Sequence, residues 1–234
     1  MSDGLTLDAV AWDALRLSLW VAVWATVIAV PLALWVAWVL ARKAFWGKSL
    51  VNALVHLPLV LPPVVTGYIL LVLFSPNAPA GAALATVGLT LAFKWTGAVL
   101  AAIVMGFPLM VRAMRLAIEA VDPKIEEAAA TLGASRASVF GRVTLPLIAP
   151  GILAGAVMGF AKAMGEFGAT ITFVANIPGQ TQTLPIAIWT ALQIPGGEGK
   201  AAAMALLACA VALGAVFLSE WLARGVAARI KGAP

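Results

Sequence analysis

Charged side chains are scarce in this 234-residue chain. Asp, Glu, Lys and Arg make up 11% of it and apolar residues 63%, whereas an ordinary soluble domain has roughly 25% charged and 45–50% apolar residues. This balance excludes a water-soluble globule. The uncharged stretches 17–40 and 49–93 are long enough to cross a bilayer, which takes about 20 residues per helix. Their apolar residues run continuously rather than alternating with polar ones, as a β-barrel would require. The sequence therefore predicts an all-α polytopic membrane protein.

Reactive side chains are scarce as well. The chain has one cysteine, Cys209, which excludes an intrachain disulfide and which we expect to be a small buried side chain. Its one histidine, His56, has no Cys, Asp, Glu or second His nearby at metal-ligand spacing, so we expect it to be hydrogen-bonded rather than metal-bound. Because no carboxylates cluster outside one polar loop, we expect no catalytic, cofactor-binding or metal site, and a subunit that is not an enzyme.

The charged breaks predict how many times the chain crosses the membrane. They leave room for five crossings: 15–41, 50–74, 95–112, 147–174 and 201–223. The uncharged stretch 75–93 begins with a proline-rich turn and is too short beyond it to span, so we interpret it as an interfacial or partly re-entrant external segment.

Lys and Arg predict the direction of the chain. With the N-terminus outside, eleven basic residues fall on the inner side and three on the outer side, which is the positive-inside pattern. The excess of basic residues is therefore explained by membrane topology and does not indicate a nucleic-acid partner. The predicted organisation is a short external segment 1–14, a membrane domain 15–223 with a cytoplasmic loop 113–146, and a basic cytoplasmic tail 224–234.

Prolines interrupt the second crossing. Pro58, Pro62 and Pro63 remove backbone donors from a helix that lies at membrane depth, and such irregular backbone is tolerated only inside protein or beside water. The residues alone leave two interpretations open, a packing kink and a segment that lines a transport pathway.

The fourth crossing combines small and charged residues on one face. Gly151, Gly155 and Gly159 are four residues apart, a spacing that allows close helix packing in lipid. At 100° per residue, Lys162 and Glu166 fall on the same side, so they point into a helix interface. A charge in a membrane helix costs about 2.5–3.5 kcal/mol on insertion scales. We therefore expect a pair, either a structural ion pair or part of a pathway or gate.

The long polar loop contains helix signals. Asp122 followed by Pro123 predicts a helix start, and Gly133 predicts its end. Between them, an apolar face recurs at i, i+3, i+4 and i+7 through Ile125, Ala128, Ala129 and Leu132. Ser135 can cap a second short helix to about residue 142. The apolar face has two possible partners, the end of the membrane bundle or another protein.

The same loop carries a family motif. Glu127-Ala128-Ala129, then three residues, Gly133, nine residues and Val143-Thr144-Leu145-Pro146 resemble the EAA loop of prokaryotic ABC importer permeases, with Val143 where isoleucine is more usual. The resemblance implies the type I importer permease fold. It also implies that Glu127, Ala128, Ala129, Gly133, Leu145 and Pro146 form the loop that couples the permease to a separate cytoplasmic ATPase.

Further motifs resemble the molybdate-type permease subunits in particular. They are Val51 to Tyr68, Phe107 to Arg112, Gly165 to Phe173 and Asn176 to Gly179. Within them and the fourth crossing we select candidate pathway or gate residues: Pro62, Pro63, Thr66, Lys162, Glu166, Gly168 and Thr170. The resemblance implies a homodimer in a bacterial inner membrane that imports molybdate or tungstate. It also implies two ATPase subunits on the inner side and a molybdate-binding protein on the outer side.

The chain has no phosphate-binding loop of its own. Gly47-Lys48-Ser49 ends like one, but Arg42 stands where the first glycine is required. We therefore expect ATP and Mg²⁺ on the partner ATPase and no cofactor in this chain. The rival functions are a sulfate or thiosulfate permease, a structural scaffold and a self-sufficient secondary transporter. A secondary transporter would need more membrane-embedded ionisable residues than Lys162 and Glu166, and an internal repeat.

Overall fold

The computed structural model describes residues 8–230, and every regular element within that range is a helix. In chain order the helices are α1 (Ala9–Arg42), α2 (Lys48–Val60), α3 (Pro63–Phe74), α4 (Pro79–Thr86), α5 (Trp95–Glu119), α6 (Pro123–Thr131), α7 (Arg136–Val139), a π-helical segment (Phe140–Thr144), α8 (Leu145–Met164), α9 (Gly168–Val174), α10 (Leu184–Leu192) and α11 (Glu198–Ile230). The all-α prediction is confirmed.

Four stretches of the described chain are long and apolar enough to cross a membrane alone: Ala9–Arg42, Trp95–Glu119, Arg136–Met164 and Glu198–Leu218. Helices α2 and α3 pass the same test only as a pair, and they are bent by 113° at the break between them. Counting that pair as one broken span gives five. The proline-rich sequence at the break explains the interruption, since Pro62 and Pro63 lack the N–H groups that would continue α2.

Helix α5 forms the centre of the bundle, packed between α1 and α8. Two glycines of α8 make this packing close. A side chain at Gly155 or Gly159 would collide with Met110 or Met114 of α5, and Gly106 of α5 faces the backbone of Gly159. The predicted small-residue face of the fourth crossing is therefore confirmed as a close helix contact.

The predicted crossing over 147–174 is not a single helix. Helix α8 ends at Met164 with Gly165 as its C-cap residue, and the separate helix α9 starts at Gly168. The side chain of Glu166 stabilises the second start, because its Oε1 accepts a hydrogen bond from the N–H of Ala169, 3.0 Å away, in the first turn of α9.

Other boundaries extend the predicted segments. Helix α1 already begins at Ala9, α5 continues to Glu119, and residues 224–230 continue α11. Residues 1–7 of the predicted external segment and 231–234 of the predicted tail lie outside the described residues. The ambiguous stretch 75–93 contains the short helix α4, which packs against α3.

Cys209 is exposed, so the expectation of a buried thiol is wrong. It lies on α11, whose membrane window is the least buried of the four long ones. A helix at the edge of the bundle presents most of its apolar side chains outward, and sequence alone does not distinguish such a helix from a central one.

Candidate functional site

Helix α6 is the centre of the predicted coupling loop, and its ends form as the sequence predicts. The Asp122 carboxylate accepts a hydrogen bond from the N–H of Lys124 at 2.9 Å, and Pro123 occupies the first turn. At the other end, Gly133 adopts a φ of +85°, the left-handed conformation that glycine tolerates best. Both predicted caps are confirmed, so α6 is a defined element and not a flexible linker.

The apolar face of α6 is not covered by its own chain. Leu132 is 88% exposed and Ile125 is 48% exposed, and Ala128 between them is exposed as well. No residue of α6 is buried. Of the two partners that the sequence left open for this face, the described part of the bundle is therefore not the one that covers it.

A polar network ties the opposite side of α6 to two membrane helices. Glu126 Oε1 accepts hydrogen bonds from an Arg42 guanidinium nitrogen at 3.2 Å and from Thr144 Oγ1 at 2.7 Å. The same Arg42 nitrogen donates to the carbonyl of Val121 at 3.3 Å. Because Arg42 ends α1 and Thr144 directly precedes α8, this network connects α6 to both helices.

The sequence reasoning missed Arg42 and Thr144 as part of this loop. Their separation from Glu126 by 84 and 18 residues leaves no local signal, although a basic residue at the end of a crossing and a threonine inside the motif are both visible in the sequence. Leu145 and Pro146, the last predicted coupling residues, form the first turn of α8 directly after the π-helical segment.

The predicted coupling residues therefore fall into two groups. Glu127, Ala128 and Ala129 lie on α6 with Gly133 just beyond its end, whereas Leu145 and Pro146 lie where the chain re-enters the bundle. Ser135 caps the intervening turn, as predicted, because its Oγ accepts from the N–H of Ser138 at 3.3 Å. The predicted second short helix is continuous with α8 through the π-helical segment.

The candidate pathway residues lie where α3 packs against α9. A Cβ added at Gly168 would be 2.8 Å from Cβ of Pro63, and one added at Gly67 would be 2.4 Å from the carbonyl oxygen of Ala169. These distances are too short for a side chain, so the two backbones touch directly. Thr66 and Thr170 are both buried beside this contact, whereas Pro62 at the break is exposed.

Lys162 and Glu166 form the predicted ion pair. Lys162 Nζ lies 2.6 Å from Glu166 Oε2, the Glu166 side chain is 2% exposed and the Lys162 side chain is 29% exposed. Since the other oxygen of Glu166 holds the first turn of α9, this carboxylate joins α8 to α9. The structure thus brings Lys162, Glu166, Gly168 and Pro63 into one connected site.

A neutral polar network near α10 was not predicted. Gln182 Nε2 donates to Asn176 Oδ1, and Asn176 Nδ2 donates to Thr190 Oγ1, each at 2.9 Å. Thr181 is fully buried and its hydroxyl bridges the N–H of Ile177 and the carbonyl of Ala175. These groups satisfy one another, so they brace the connection between α9 and α10.

In the part of the chain that the structure describes, no three His, Cys, Asp or Glu side chains come close enough together to hold a metal ion. His56 instead uses Nδ1 in a 2.8 Å hydrogen bond with the carbonyl of Asn52, one turn earlier in α2.

Solved structures with the same fold are transport proteins. A bacterial alginate ABC transporter in complex with an alginate-bound periplasmic protein matches with a TM-score of 0.76 at 19% identity, covering 95% of this chain and 81% of that one. An amino acid ABC transporter matches with a TM-score of 0.63 at 18% identity, covering 94% and 99%. The fold is that of type I ABC importer permeases.

Curated relatives are closer in sequence. The molybdenum transport system permease protein ModB of Escherichia coli K12 is 54% identical over 214 residues, 91% of this chain and 93% of that protein. ModB of Haemophilus influenzae is 54% identical over 213 residues, with the same coverage. The sulfate transport system permease protein CysT of Salmonella typhimurium is 38% identical over 157 residues, 67% of this chain and 57% of that protein.

These relatives are permease subunits, which confirms the prediction that the chain is a transport subunit and not an enzyme. A family model described as binding-protein-dependent transport system inner membrane component matches residues 29–231. The chain belongs to this family of transport permeases.

Proposed function

We propose that this chain is the membrane-spanning subunit of an ATP-driven importer that carries molybdate, and tungstate as an alternative substrate, into the bacterial cytoplasm. The substrate assignment is supported by two relatives named as molybdenum permeases, each 54% identical over 91% of the chain. Sulfate permeases are less similar and match a shorter part of it. Molybdate, tungstate and sulfate are tetrahedral dianions, so the choice among them depends on fine recognition rather than on the fold.

The exposed apolar face of α6 carries the proposal of ATP coupling. A capped helix that leaves Ile125, Ala128 and Leu132 uncovered fits a hydrophobic groove on a partner protein, the helix-in-groove mode of recognition. We assign that partner as a cytoplasmic ABC ATPase, two copies per transporter, which holds ATP and Mg²⁺. The Arg42–Glu126–Thr144 network then transmits movements of the ATPase to α1 and α8.

The second copy of this chain is proposed to complete the pathway. Val64, Tyr68 and Val72 of α3 are four residues apart and all exposed, so they form a face directed away from the α9 contact. In a homodimer, two such faces enclose the route for the anion. The Lys162–Glu166 pair does not line this route and instead stabilises it by holding α9 against α8.

The mechanism that follows is alternating access. ATP closes the ATPase pair, the docked α6 helices move together, and the two bundles rock so that the pathway opens toward an external binding protein. The proposed orientation places α6 and the ends of α1 and α5 on the cytoplasmic side, with the α10–α11 connection on the outer side of the membrane. The positive-inside count in the sequence supports this orientation.

Reconstitution of the complete importer in proteoliposomes tests the proposal. The permease, its ATPase and its binding protein are assembled together, and ATP hydrolysis is measured with molybdate, tungstate or sulfate outside. Molybdate is expected to stimulate hydrolysis and to accumulate inside. Stimulation by sulfate alone would assign the chain to sulfate transport, and uptake without the ATPase would make it a secondary transporter.

A matched pair of variants tests the docking face. Leu132→Asp places a charge in the centre of the face and should release the ATPase during purification. Thr131→Asp adds the same charge to an exposed neighbouring position away from the face and should leave the complex intact. Equal retention of the ATPase by both variants would contradict docking through this face.

A further inference from the structure

A groove of about 770 Å³ lies between α1 and the segment that runs from α6 to the start of α8. One wall is a single face of α1, formed at i, i+3, i+4 and i+7 by Pro31, Leu34, Trp35 and Trp38. Ala130 of α6 and Phe140 of the π-helical segment are on the opposite wall. Its volume is within the roughly 300–1,000 Å³ of pockets that hold small molecules.

This groove is separate from the proposed ATPase-docking face. Pro123 and Ala130 line it, and at 100° per residue they lie about 140–160° around α6 from Ile125. One side of α6 therefore faces the groove while the other side stays free to dock. Of the predicted coupling residues only Glu127 lines the groove, so an ATPase bound to Ile125 and Leu132 contacts a different side of α6.

With Arg42 placed at the membrane surface, as the predicted crossing 15–41 places it, the α1 wall of the groove lies within one leaflet. From Pro31 to Arg42, where α1 ends, is eleven residues, about 16 Å at 1.5 Å per residue. Half of the hydrocarbon core is about 15 Å thick. Pro31 and Leu34 therefore lie deep in the leaflet, and Trp38 lies near its surface. Trp35, between them, is 65% exposed.

Cations stand at the surface end of the groove. Lys43 Nζ lies 5.2 Å from the ring centroid of Trp38, which lines the groove. Arg136 lines it as well, is exposed, and makes no ion pair with another side chain within residues 8–230. Of the two carboxylates along the groove, Glu126 is already paired with Arg42, whereas Glu127 remains at the rim. Arg136 and Glu127 are thus the lining residues whose charge has no ion-pair partner within residues 8–230, and Lys43 lies beside the groove against Trp38.

We infer that this groove binds one anionic phospholipid from the leaflet at that end of the bundle. Along α1, the apolar Pro31 and Leu34 are followed by two tryptophans and then by Lys43, in the order of acyl chain, interface and phosphate, and Arg136 of α7 lines the same groove. Arg136 is suited to a phosphate because its guanidinium offers two parallel donors. The lipid bridges α1 and α7, so it supports the same loop that Arg42 and Glu126 hold.

Photo-cross-linking identifies the occupant. A photoreactive amino acid at Ala137, which lines the groove, is compared with one at Leu32, which is exposed on α1 outside it. The assembled importer is placed in nanodiscs that contain phosphatidylglycerol and phosphatidylcholine. Position 137 is expected to capture mainly phosphatidylglycerol, and position 32 to capture both lipids as they occur in the disc. Capture of a second permease copy or of the ATPase at position 137 would overturn the inference, as would equal capture of the two lipids.

Charge variants test the headgroup contact on the same complexes. Arg136→Gln should lower the phosphatidylglycerol that stays bound through a detergent wash by about tenfold. Arg142→Gln removes the same charge from an exposed position of the same loop that does not line the groove, and should leave retention unchanged. Equal losses in the two variants, or none in either, would show that the groove does not select the lipid. Because bound lipid is read directly, failure here is distinguishable from a failure of molybdate transport.

Discussion

Glu166 has two structural tasks at once. One carboxylate oxygen pairs with Lys162 and the other caps the first turn of α9. A buried carboxylate without a partner is costly in a membrane, so Glu166 depends on Lys162 for a compensating charge. The two roles are separable, because a glutamine can still accept the backbone hydrogen bond while losing the ion pair.

The pair should behave as one unit in a double-mutant cycle. Lys162→Met leaves the Glu166 carboxylate uncompensated and Glu166→Gln leaves the ammonium unpaired, so each change should destabilise the purified permease more than the double change does. We expect a coupling energy of about 1 kcal/mol, at the lower end for contacting residues because Lys162 is partly exposed. Thermal unfolding followed by tryptophan fluorescence measures it. Additive losses would show that the residues do not interact energetically.

A second ion pair, at the opposite end of α1 from the coupling loop, should respond to pH. Lys200 donates to the Asp8 carboxylate and lowers its pKa below the ordinary value of that side chain. A lowered pKa means that the pair contributes stability above about pH 4, which is lost as the pH falls through the pKa of the folded state. Both side chains are partly exposed, so the contribution is small.

Asp8→Asn isolates this effect because asparagine still caps α1. The difference in Tm between the native chain and the variant should be present at pH 6, no larger than about 3 °C, and should shrink as the pH is lowered below about 4. Lys200→Met is the matched partner variant and should give the same pH profile. A difference that persists unchanged at pH 3 would contradict a charge-based role for Asp8.

At the scale of elements, the position of α6 depends on the left-handed turn at Gly133. A Cβ at this position would meet no atom within 4 Å, so the cost of any substitution is in the backbone and not in packing. For a residue with a side chain, the left-handed conformation costs about 1–2 kcal/mol. The expected effect therefore depends on how well the new residue tolerates that conformation.

Gly133→Val should misplace α6 and reduce co-purification of the ATPase, while the permease still inserts. Gly133→Asn should retain more of the ATPase, because asparagine tolerates positive φ far better than a β-branched residue. Gly141→Ala is the matched control, since Gly141 also has open space around it but lies in the π-helical segment. The order Gly141→Ala, Gly133→Asn, Gly133→Val in falling ATPase retention is the expected result, and equal retention would remove the role of the turn.

Some elements were predictable from sequence and others were not, for a physical reason. The signals that begin and end helix α6 lie at its own ends, at Asp122, Pro123 and Gly133, and each is found as predicted. The break between α8 and α9 depends on the side chain of Glu166 reaching forward to Ala169, which no hydropathy pattern records.

The site divides in the same way. The Lys162–Glu166 pair is one helical turn apart and could be derived from spacing, whereas the contact of Gly168 with Pro63 joins residues more than 100 positions apart. Long-range contacts of this kind are set by how the helices pack. The proline break in the second crossing was likewise predictable, but its bend of 113° was not, because proline removes a backbone hydrogen bond without fixing the direction that follows.

For the whole molecule, the orientation in the membrane is open to direct labelling. Cys209 is exposed, so it is first replaced by alanine. In that background, Gln193→Cys, in the connection before α11, should react with an impermeant thiol reagent on intact cells, and Thr131→Cys, at the end of α6, should react only after the cells are lysed. Both positions are exposed, so burial does not limit their labelling. The opposite labelling pattern would invert the proposed topology.

The charge distribution of the whole chain also determines where selection of the anion takes place. A tight site for a dianion needs several arginines, convergent N–H groups or helix N-termini. The candidate pathway offers one cation, Lys162, and Glu166 already neutralises it. Arg16, Lys94 and Lys200 can attract an anion to the outer mouth, but Lys200 is paired with Asp8. We therefore expect the importer without its binding protein to bind molybdate no more tightly than roughly millimolar, about −4 kcal/mol.

Titration calorimetry on the importer without its binding protein measures this affinity, with sulfate as the control anion. A submicromolar affinity that distinguishes molybdate from sulfate would place selection inside the permease instead of in the external binding protein.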